Sequence, residues 1–251
     1  MKDRNKGGDG PLEHRRWLVP GSILAVLALL ASFVLVTQRG PGGEPEHDTS
    51  ADSGRDRPAE VTEPEQPDLS DLEQRDPDDP LTAGPVDAPV GLVVFSDYQC
   101  PFCASWSEET LPEMMAHAEA GDLRIEWRDV NVFGDASERA ARASYAAALQ
   151  GRYWDYHAAL FSGGEPRPES ALSDDGLVEL AGELGLDVDQ FAEDFDSTEV
   201  REQVRLHARE GIELGILSTP AFILGGEPIV GAQPTEVFLQ AMDRALARAG
   251  Q

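Results

Sequence analysis

The chain has 251 residues, enough for one or two domains, and its 47 Asp and Glu against 20 Lys and Arg give a formal net charge of −27. This excess of acid argues against a nucleic-acid-binding protein, because a phosphate-binding surface needs clustered Lys and Arg. The charge favours solubility and leaves the mechanism open.

A basic tail, residues 1–16, precedes an uncharged apolar segment from Trp17 to Thr37. That length crosses a bilayer core as a helix. Because positive charge lies on its N-terminal side, we predict a single-pass signal anchor in the cell membrane, with residues 1–16 cytoplasmic and the following chain extracytoplasmic. The alternative is a cleaved signal peptide, but its apolar core would be shorter, about 7–15 residues, and Gln38-Arg39-Gly40 is a poor cleavage site. Either way the following chain faces an oxidising compartment, where disulfides persist.

The next segment, residues 38–87, is rich in proline and acidic residues and almost lacks large apolar side chains. Such a composition cannot bury enough surface to offset the entropy of ordering. We therefore predict a disordered linker, and about 50 residues of flexible chain would give an end-to-end distance of roughly 40 Å.

A globular composition begins near residue 88. The apolar, β-branched run Val90–Phe95 predicts a buried strand, and Asp97-Tyr98-Gln99 then turns into Cys100-Pro101-Phe102-Cys103. A helix is expected over 103–119, kinked at Pro112. Alternating apolar and charged residues over 123–130 predict a second strand with one covered face.

A block of helices follows, and then a hairpin and a closing helix. The predicted helices span 136–149, 153–161, 174–184, 189–194 and 198–214, the hairpin strands 220–224 and 228–230, and the last helix 234–249. Tyr153, Trp154, Tyr156 and His157 are expected to belong to the core of the helical block rather than to a ligand site.

The two cysteines of the chain, Cys100 and Cys103, form a CxxC pair at the start of the first predicted helix. The positive end of the helix dipole favours a thiolate at Cys100, and Cys103 lies one turn later on the same face. Pro101 suits the first turn because its missing N–H would go unused there. The alternatives are a metal half-site, which lacks a second cysteine pair, and a structural disulfide, whose loop is too short to constrain the unfolded chain. The pattern favours a redox dithiol and no metal.

This order of motifs resembles the thioredoxin superfamily, and within it the DsbA-like branch that carries a helical insertion. The residues that carry the resemblance are Phe95-Ser96-Asp97-Tyr98-Gln99-Cys100-Pro101-Phe102-Cys103, Gln150-Gly151-Arg152-Tyr153-Trp154-Asp155-Tyr156-His157, and Gly215-Ile216-Leu217-Ser218-Thr219-Pro220-Ala221-Phe222-Ile223 with Gly231 beyond. The resemblance implies an α/β thioredoxin fold over 88–251 with a helical insertion at about 135–214. It also implies that Pro220 is cis and lies against the dithiol.

The chain departs from the pattern of its relatives at two positions and in one domain. A buried carboxylate common in thioredoxins is replaced by Val94, and the His of the strongly oxidising type is replaced by Phe102. The N-terminal dimerisation domain of the isomerases is replaced by the linker, so we expect a monomer.

The resemblance implies a protein disulfide oxidoreductase without a cofactor, which we expect to oxidise the thiols of secreted proteins and to be recycled by a membrane redox partner. Cys100 and Cys103 would be catalytic, and Thr219, Pro220 and Phe102 would contact substrate. Asp97 would either relay protons or bind backbone N–H groups in its turn, the second being favoured. The alternatives are a thiol reductase or isomerase, for example in cytochrome c maturation, and a Cu(I)-binding chaperone.

Overall fold

The computed structural model describes residues 68–250, so the predictions for residues 1–16, 17–37 and 38–67 lie outside the described residues. Within residues 68–250, no helix combines the length and the apolar character needed to cross a membrane. The strands are β1 (Thr82–Ala83), β2 (Val90–Ser96), β3 (Leu123–Asp129), β4 (Ala221–Leu224) and β5 (Glu227–Val230). The α-helices are α1 (Pro101–Glu109), α2 (Leu111–Ala120), α3 (Asp135–Leu149), α4 (Tyr153–Leu160), α5 (Asp174–Glu183), α6 (Val188–Asp196), α7 (Thr198–Glu213) and α8 (Thr235–Ala249).

The strands form one mixed sheet in the order β1-β3-β2-β4-β5. The central pair, β2 and β3, is parallel, and its register sets Val94 opposite Trp127 and Ser96 opposite Asp129. The other three pairs are antiparallel. Five helices, α3–α7, lie between β3 and β4 in the chain. This topology confirms the thioredoxin-like α/β fold with a helical insertion.

Both faces of the sheet are covered. On one face Leu92 and Val94 belong to the main core, together with Trp106 of α1 and Phe238 of α8. On the other face a smaller cluster contains Val93, Phe95, Val130 and Ile223, with Leu69, Leu72 and Ile216 packed against it. The prediction that only one face of β3 is covered is therefore wrong. All seven of its residues are buried, because its charged side chains pair with one another and with neighbouring segments.

The helix predicted over 103–119 is two helices, α1 and α2, which meet at Thr110. Pro112 lies in the first turn of α2, where no intrahelical N–H bond is lost. The chain thus breaks ahead of the proline instead of kinking at it, since a proline inside one continuous helix would clash with the preceding turn.

The linker prediction is wrong for residues 68–87, which pack on the domain. Leu81 is buried, β1 pairs with β3, and a short 3-10 helix spans Ser70–Leu72. The carboxylate of Glu126 accepts bonds from the backbone N–H groups of Gln74 and Arg75 at 3.0 and 2.7 Å. The prediction was based on the average composition of the segment, whereas a few leucines and charged residues hold the segment on the domain.

Candidate active site

The dithiol lies at the N-terminus of α1, directly after the central strand β2. A tight turn, in which Cys100 N–H donates to the Asp97 carbonyl at 3.0 Å, brings the chain from the strand to the helix. Cys100 is the N-cap residue and Pro101 occupies the first turn, as predicted. Both cysteines are free thiols, and both residues are buried.

The second component of the site comes from the start of β4. The Thr219–Pro220 peptide bond is cis, which confirms the expectation from the resemblance. The Cys100 thiol donates to the Thr219 carbonyl at 3.2 Å, over a separation of 119 positions in the chain. The Pro220 carbonyl in turn accepts a bond from Gly231 N–H at 2.9 Å, which ties this segment to β5. The fold therefore brings Cys100, Thr219 and Pro220 together.

The two thiols have opposite acidities. The pKa of Cys100 is lowered, chiefly by a hydrogen bond from the Cys103 side chain and further by the N–H groups of Cys103 and Phe102 at the start of α1, although burial opposes the shift. The pKa of Cys103 is raised far above its usual value by burial and then by the neighbouring Cys100 sulfur. These acidities suit Cys100 to the role of attacking and leaving group in thiol-disulfide exchange, and they favour a protonated thiol at Cys103 at neutral pH.

Asp97 is fully buried behind the dithiol and accepts three hydrogen bonds. Its carboxylate oxygens bind Gln99 N–H at 2.8 Å, the Ser137 hydroxyl at 2.6 Å and Phe133 N–H at 3.0 Å. These contacts join the turn before the dithiol to the loop after β3 and to α3. They favour the role of binding backbone groups over that of a proton relay.

Three large apolar side chains are exposed on segments that adjoin the dithiol. Phe102 is 66% exposed within the motif, Phe133 is 57% exposed on the loop held by Asp97, and Leu217 is 79% exposed two residues before Thr219. Exposed apolar side chains of this kind suit contact with an unfolded chain, whose own apolar side chains are exposed.

The aromatic residues of α4 belong to the core, as expected. His157 is buried between Trp127 and Phe161, and its Nδ1 and Nε2 lie 3.1 Å from the Tyr98 hydroxyl and 3.3 Å from the Ser107 hydroxyl. Burial lowers the pKa of His157 to about 3, so its ring is neutral.

No role was predicted from the sequence for two buried polar residues at the strand ends. Ser96 and Asp129 end β2 and β3, and both are 1% exposed. The available signal was that each polar residue ends a buried strand, but their position opposite each other depends on the parallel register.

Residues 91–243 match the family model for the DSBA-like thioredoxin domain. Among solved structures, BdbD from Bacillus subtilis in its oxidised form has a similar fold, with a TM-score of 0.60 and 24% identity over 72% of this chain and 96% of that chain.

Two of the relatives found by sequence differ in how much of their own length the match covers. The probable disulfide bond formation protein D of Bacillus anthracis is 26% identical over 57% of this chain and 68% of its own length. The Na(+)/H(+) antiporter NhaA of Herminiimonas arsenicoxydans is 34% identical over 62% of this chain, yet the match covers only 24% of the antiporter. The chain thus spans about a quarter of the length of that relative.

Proposed function

Because the chain belongs to the family of DSBA-like thioredoxin domains, we propose that it is an extracytoplasmic protein disulfide oxidoreductase that oxidises thiol pairs of substrate proteins. The observation that carries this proposal is the position of the Cys100 thiol, at the N-terminus of α1, 3.2 Å from the Thr219 carbonyl and next to the buried Cys103. The N–H groups at the start of the helix help to lower the pKa of Cys100. Stabilising the Cys100 thiolate stabilises the reduced form of the protein, and a stable reduced form makes the disulfide a strong oxidant.

The proposed reaction uses the different acidities of the two thiols. A substrate thiolate attacks the Cys100 sulfur of the oxidised protein, the Cys100–Cys103 bond breaks, and its electron pair passes to Cys103. A second substrate thiolate then attacks the substrate sulfur of the mixed disulfide. Cys100 leaves as a thiolate, and a thiol of low pKa leaves fast. The substrate departs with a disulfide, and the protein keeps two electrons, which a membrane redox partner removes.

Substrate contact is assigned to the exposed side chain of Phe102 and to the segment Thr219–Pro220. Leu217, two residues before Thr219, and Phe133, on the loop held by Asp97, are further exposed apolar side chains. A folding secreted protein still exposes both apolar side chains and free thiols. The exposed apolar side chains of this protein would bind the former, and the dithiol would react with the latter.

We expect the reduction potential to report the direction of the reaction. An oxidase requires a potential less negative than about −230 mV, whereas a value toward that of thioredoxin, roughly −270 mV, would indicate a reductase. Equilibration with reduced and oxidised glutathione, followed by tryptophan fluorescence, measures it. The Cys103→Ser variant, which cannot form the internal disulfide, supplies the baseline for the signal.

The membrane anchor over residues 17–37 is also a proposal, supported by its length, its lack of charge and its basic flank. We expect the full chain to fractionate with membranes and to resist extraction by carbonate. A chain without residues 1–37 is the matched control and should be recovered in the soluble fraction. Recovery of both chains in the soluble fraction would refute the anchor.

A further inference from the structure

Two segments at one edge of the sheet lie on opposite sides of the dithiol. The strand order β1-β3-β2-β4-β5 places β3 and β4 on either side of β2, and the C-terminal end of β2 leads to Cys100. Because β3 is parallel to β2 and β4 is antiparallel, the end of β3 and the start of β4 lie at that same edge. The segment Thr219–Pro220 therefore lies on one side of the dithiol, and the loop after β3, residues 130–134, lies on the other.

The loop after β3 holds two apolar side chains in the solvent. Val132 and Phe133 are both exposed. They form the corner of a turn in which Gly134 N–H donates to the Asn131 carbonyl at 3.2 Å. The φ angles of Asn131 and Gly134 are +52° and +93°, a region that asparagine tolerates and glycine adopts freely. The turn thus keeps the Phe133 ring out of the core, at the same edge of the sheet as the dithiol.

Asp97 connects this turn to the dithiol. Its backbone carbonyl accepts the N–H of Cys100 at 3.0 Å. Its Oδ2 atom accepts Phe133 N–H at 3.0 Å, whereas its Oδ1 atom accepts Gln99 N–H at 2.8 Å and the Ser137 hydroxyl at 2.6 Å. The backbone of Phe133 is therefore separated from the dithiol turn by a single carboxylate group. Because Asp97 is fully buried, water does not compete for these bonds.

The two oxygens of Asp97 hold different parts of the chain. The Oδ1 bonds join the dithiol turn to α3, and only the Oδ2 bond reaches the loop after β3. In the backbone of residues 131–133, Phe133 N–H is the one group with a hydrogen bond to a described residue outside the loop. Loss of the Oδ2 bond would therefore release Phe133 and leave the dithiol turn in place.

We propose that Phe133 binds an apolar side chain of the substrate protein close to its reactive cysteine, and that Asp97 is the positioning residue that holds Phe133 there. The inference rests on the proposed function and narrows its substrate class to unfolded segments with an apolar side chain near the cysteine. A substrate that reaches Cys100 would have the segment Thr219–Pro220 on one side of its cysteine and Phe133 on the other. Asp97 itself does not touch the substrate.

The first comparison uses two variants that each remove one hydrogen bond of the Asp97 carboxylate. Asp97→Asn has a single acceptor oxygen, which keeps the two Oδ1 bonds, and its NH₂ group then faces Phe133 N–H, a donor against a donor. Ser137→Ala removes an Oδ1 bond and leaves the bond to Phe133. Initial rates of oxidation of reduced, unfolded ribonuclease by the full chain in detergent, with oxidised glutathione as the terminal oxidant, give KM. We expect Asp97→Asn to raise KM about tenfold and Ser137→Ala to change it less than about twofold.

The second comparison removes the contact itself. Phe133→Ala changes an exposed side chain and should also raise KM about tenfold. The double variant with Asp97→Asn should be no worse than either single variant, because the position of the loop is irrelevant once the ring is absent. Phe133→Leu keeps an apolar side chain and should stay within about threefold of the wild type. Asp243→Asn, an exposed change on α8, should keep the wild-type KM.

Dithiothreitol separates substrate contact from the reactivity of the dithiol. It has no apolar side chain to place on Phe133, so it should reduce oxidised Phe133→Ala and Ser137→Ala as fast as the wild type. Asp97→Asn also removes a buried carboxylate near the dithiol, and the dithiothreitol rate measures that effect by itself. If Phe133→Ala keeps the wild-type KM, or if Asp97→Asn raises KM no more than Ser137→Ala does, the inference is wrong.

Amide hydrogen exchange in the wild type covers the case in which Asp97→Asn fails to fold. Phe133 N–H should exchange at least about tenfold more slowly than Val132 N–H, which has no hydrogen-bond partner among residues 68–250. Equal exchange at the two amides would overturn the positioning role of Asp97. If the proposed function itself is wrong, the wild type will not oxidise ribonuclease, and this inference falls with it. Failure of the inference alone leaves an active enzyme whose KM is indifferent to Phe133.

Discussion

Replacing Cys100 with serine is expected to reduce the oxidative refolding of reduced, unfolded ribonuclease to the rate of the uncatalysed reaction. The hydroxyl group of serine does not ionise near neutral pH, and no second thiolate is available, since Cys103 is buried and protonated. Recovery of ribonuclease activity in a glutathione buffer measures the effect.

The matched control is Cys103→Ser, which keeps the attacking sulfur but removes the group that resolves the mixed disulfide. It should also fail to oxidise ribonuclease, but it should accumulate covalent adducts with the substrate that Cys100→Ser cannot form. Non-reducing electrophoresis distinguishes the two. If wild type and Cys100→Ser refold ribonuclease equally poorly while the wild type binds Cu(I) tightly, the oxidoreductase reading fails and the copper-chaperone alternative replaces it.

Replacing Arg128 with methionine is expected to lower the free energy of unfolding by about 3–5 kcal/mol, because it leaves buried carboxylates without their counter-charge. The guanidinium is fully buried and lies 3.0 Å from Asp79, 3.0 Å from Glu126 and 3.5 Å from Glu210. Asp79 belongs to the segment before β1, so the same change should loosen residues 68–87 from the sheet. Urea denaturation of the oxidised protein measures the loss.

Arg248→Met is the control for that experiment. Arg248 forms an ion pair with Glu227 at 2.7 Å, but its side chain is 48% exposed, and such surface pairs contribute about 0–1 kcal/mol. Equal losses for the two variants would show that the Arg128 cluster does not hold the segment. Amide hydrogen exchange at Gln74 and Arg75 then reports the local effect, since their N–H groups bind Glu126.

The sequence alone determined most of the elements and the dithiol, because these depend on local patterns. The apolar run of β2, the helix stops and the hairpin glycines have short-range signatures, and the predicted bounds differ from the observed ones by one or two residues in most elements. Cys100, Pro101, Thr219 and Pro220 were identified through family motifs, and the structure places them together.

Tertiary structure decided what depends on pairing between distant segments. Residues 68–87 are held in place by a few buried contacts, which the average composition of the segment does not reveal. The burial of both faces of β3 depends on ion pairs between separate elements. Likewise Ser96 and Asp129 are polar residues at two strand ends, 33 positions apart in the chain. Only the parallel register of β2 and β3 places them opposite each other, on the face of the sheet that packs against the core containing Cys103. The physical reason is that the pKa of a side chain depends on its burial and on the groups packed against it. Those groups come from distant parts of the chain, so the neighbouring sequence does not reveal them.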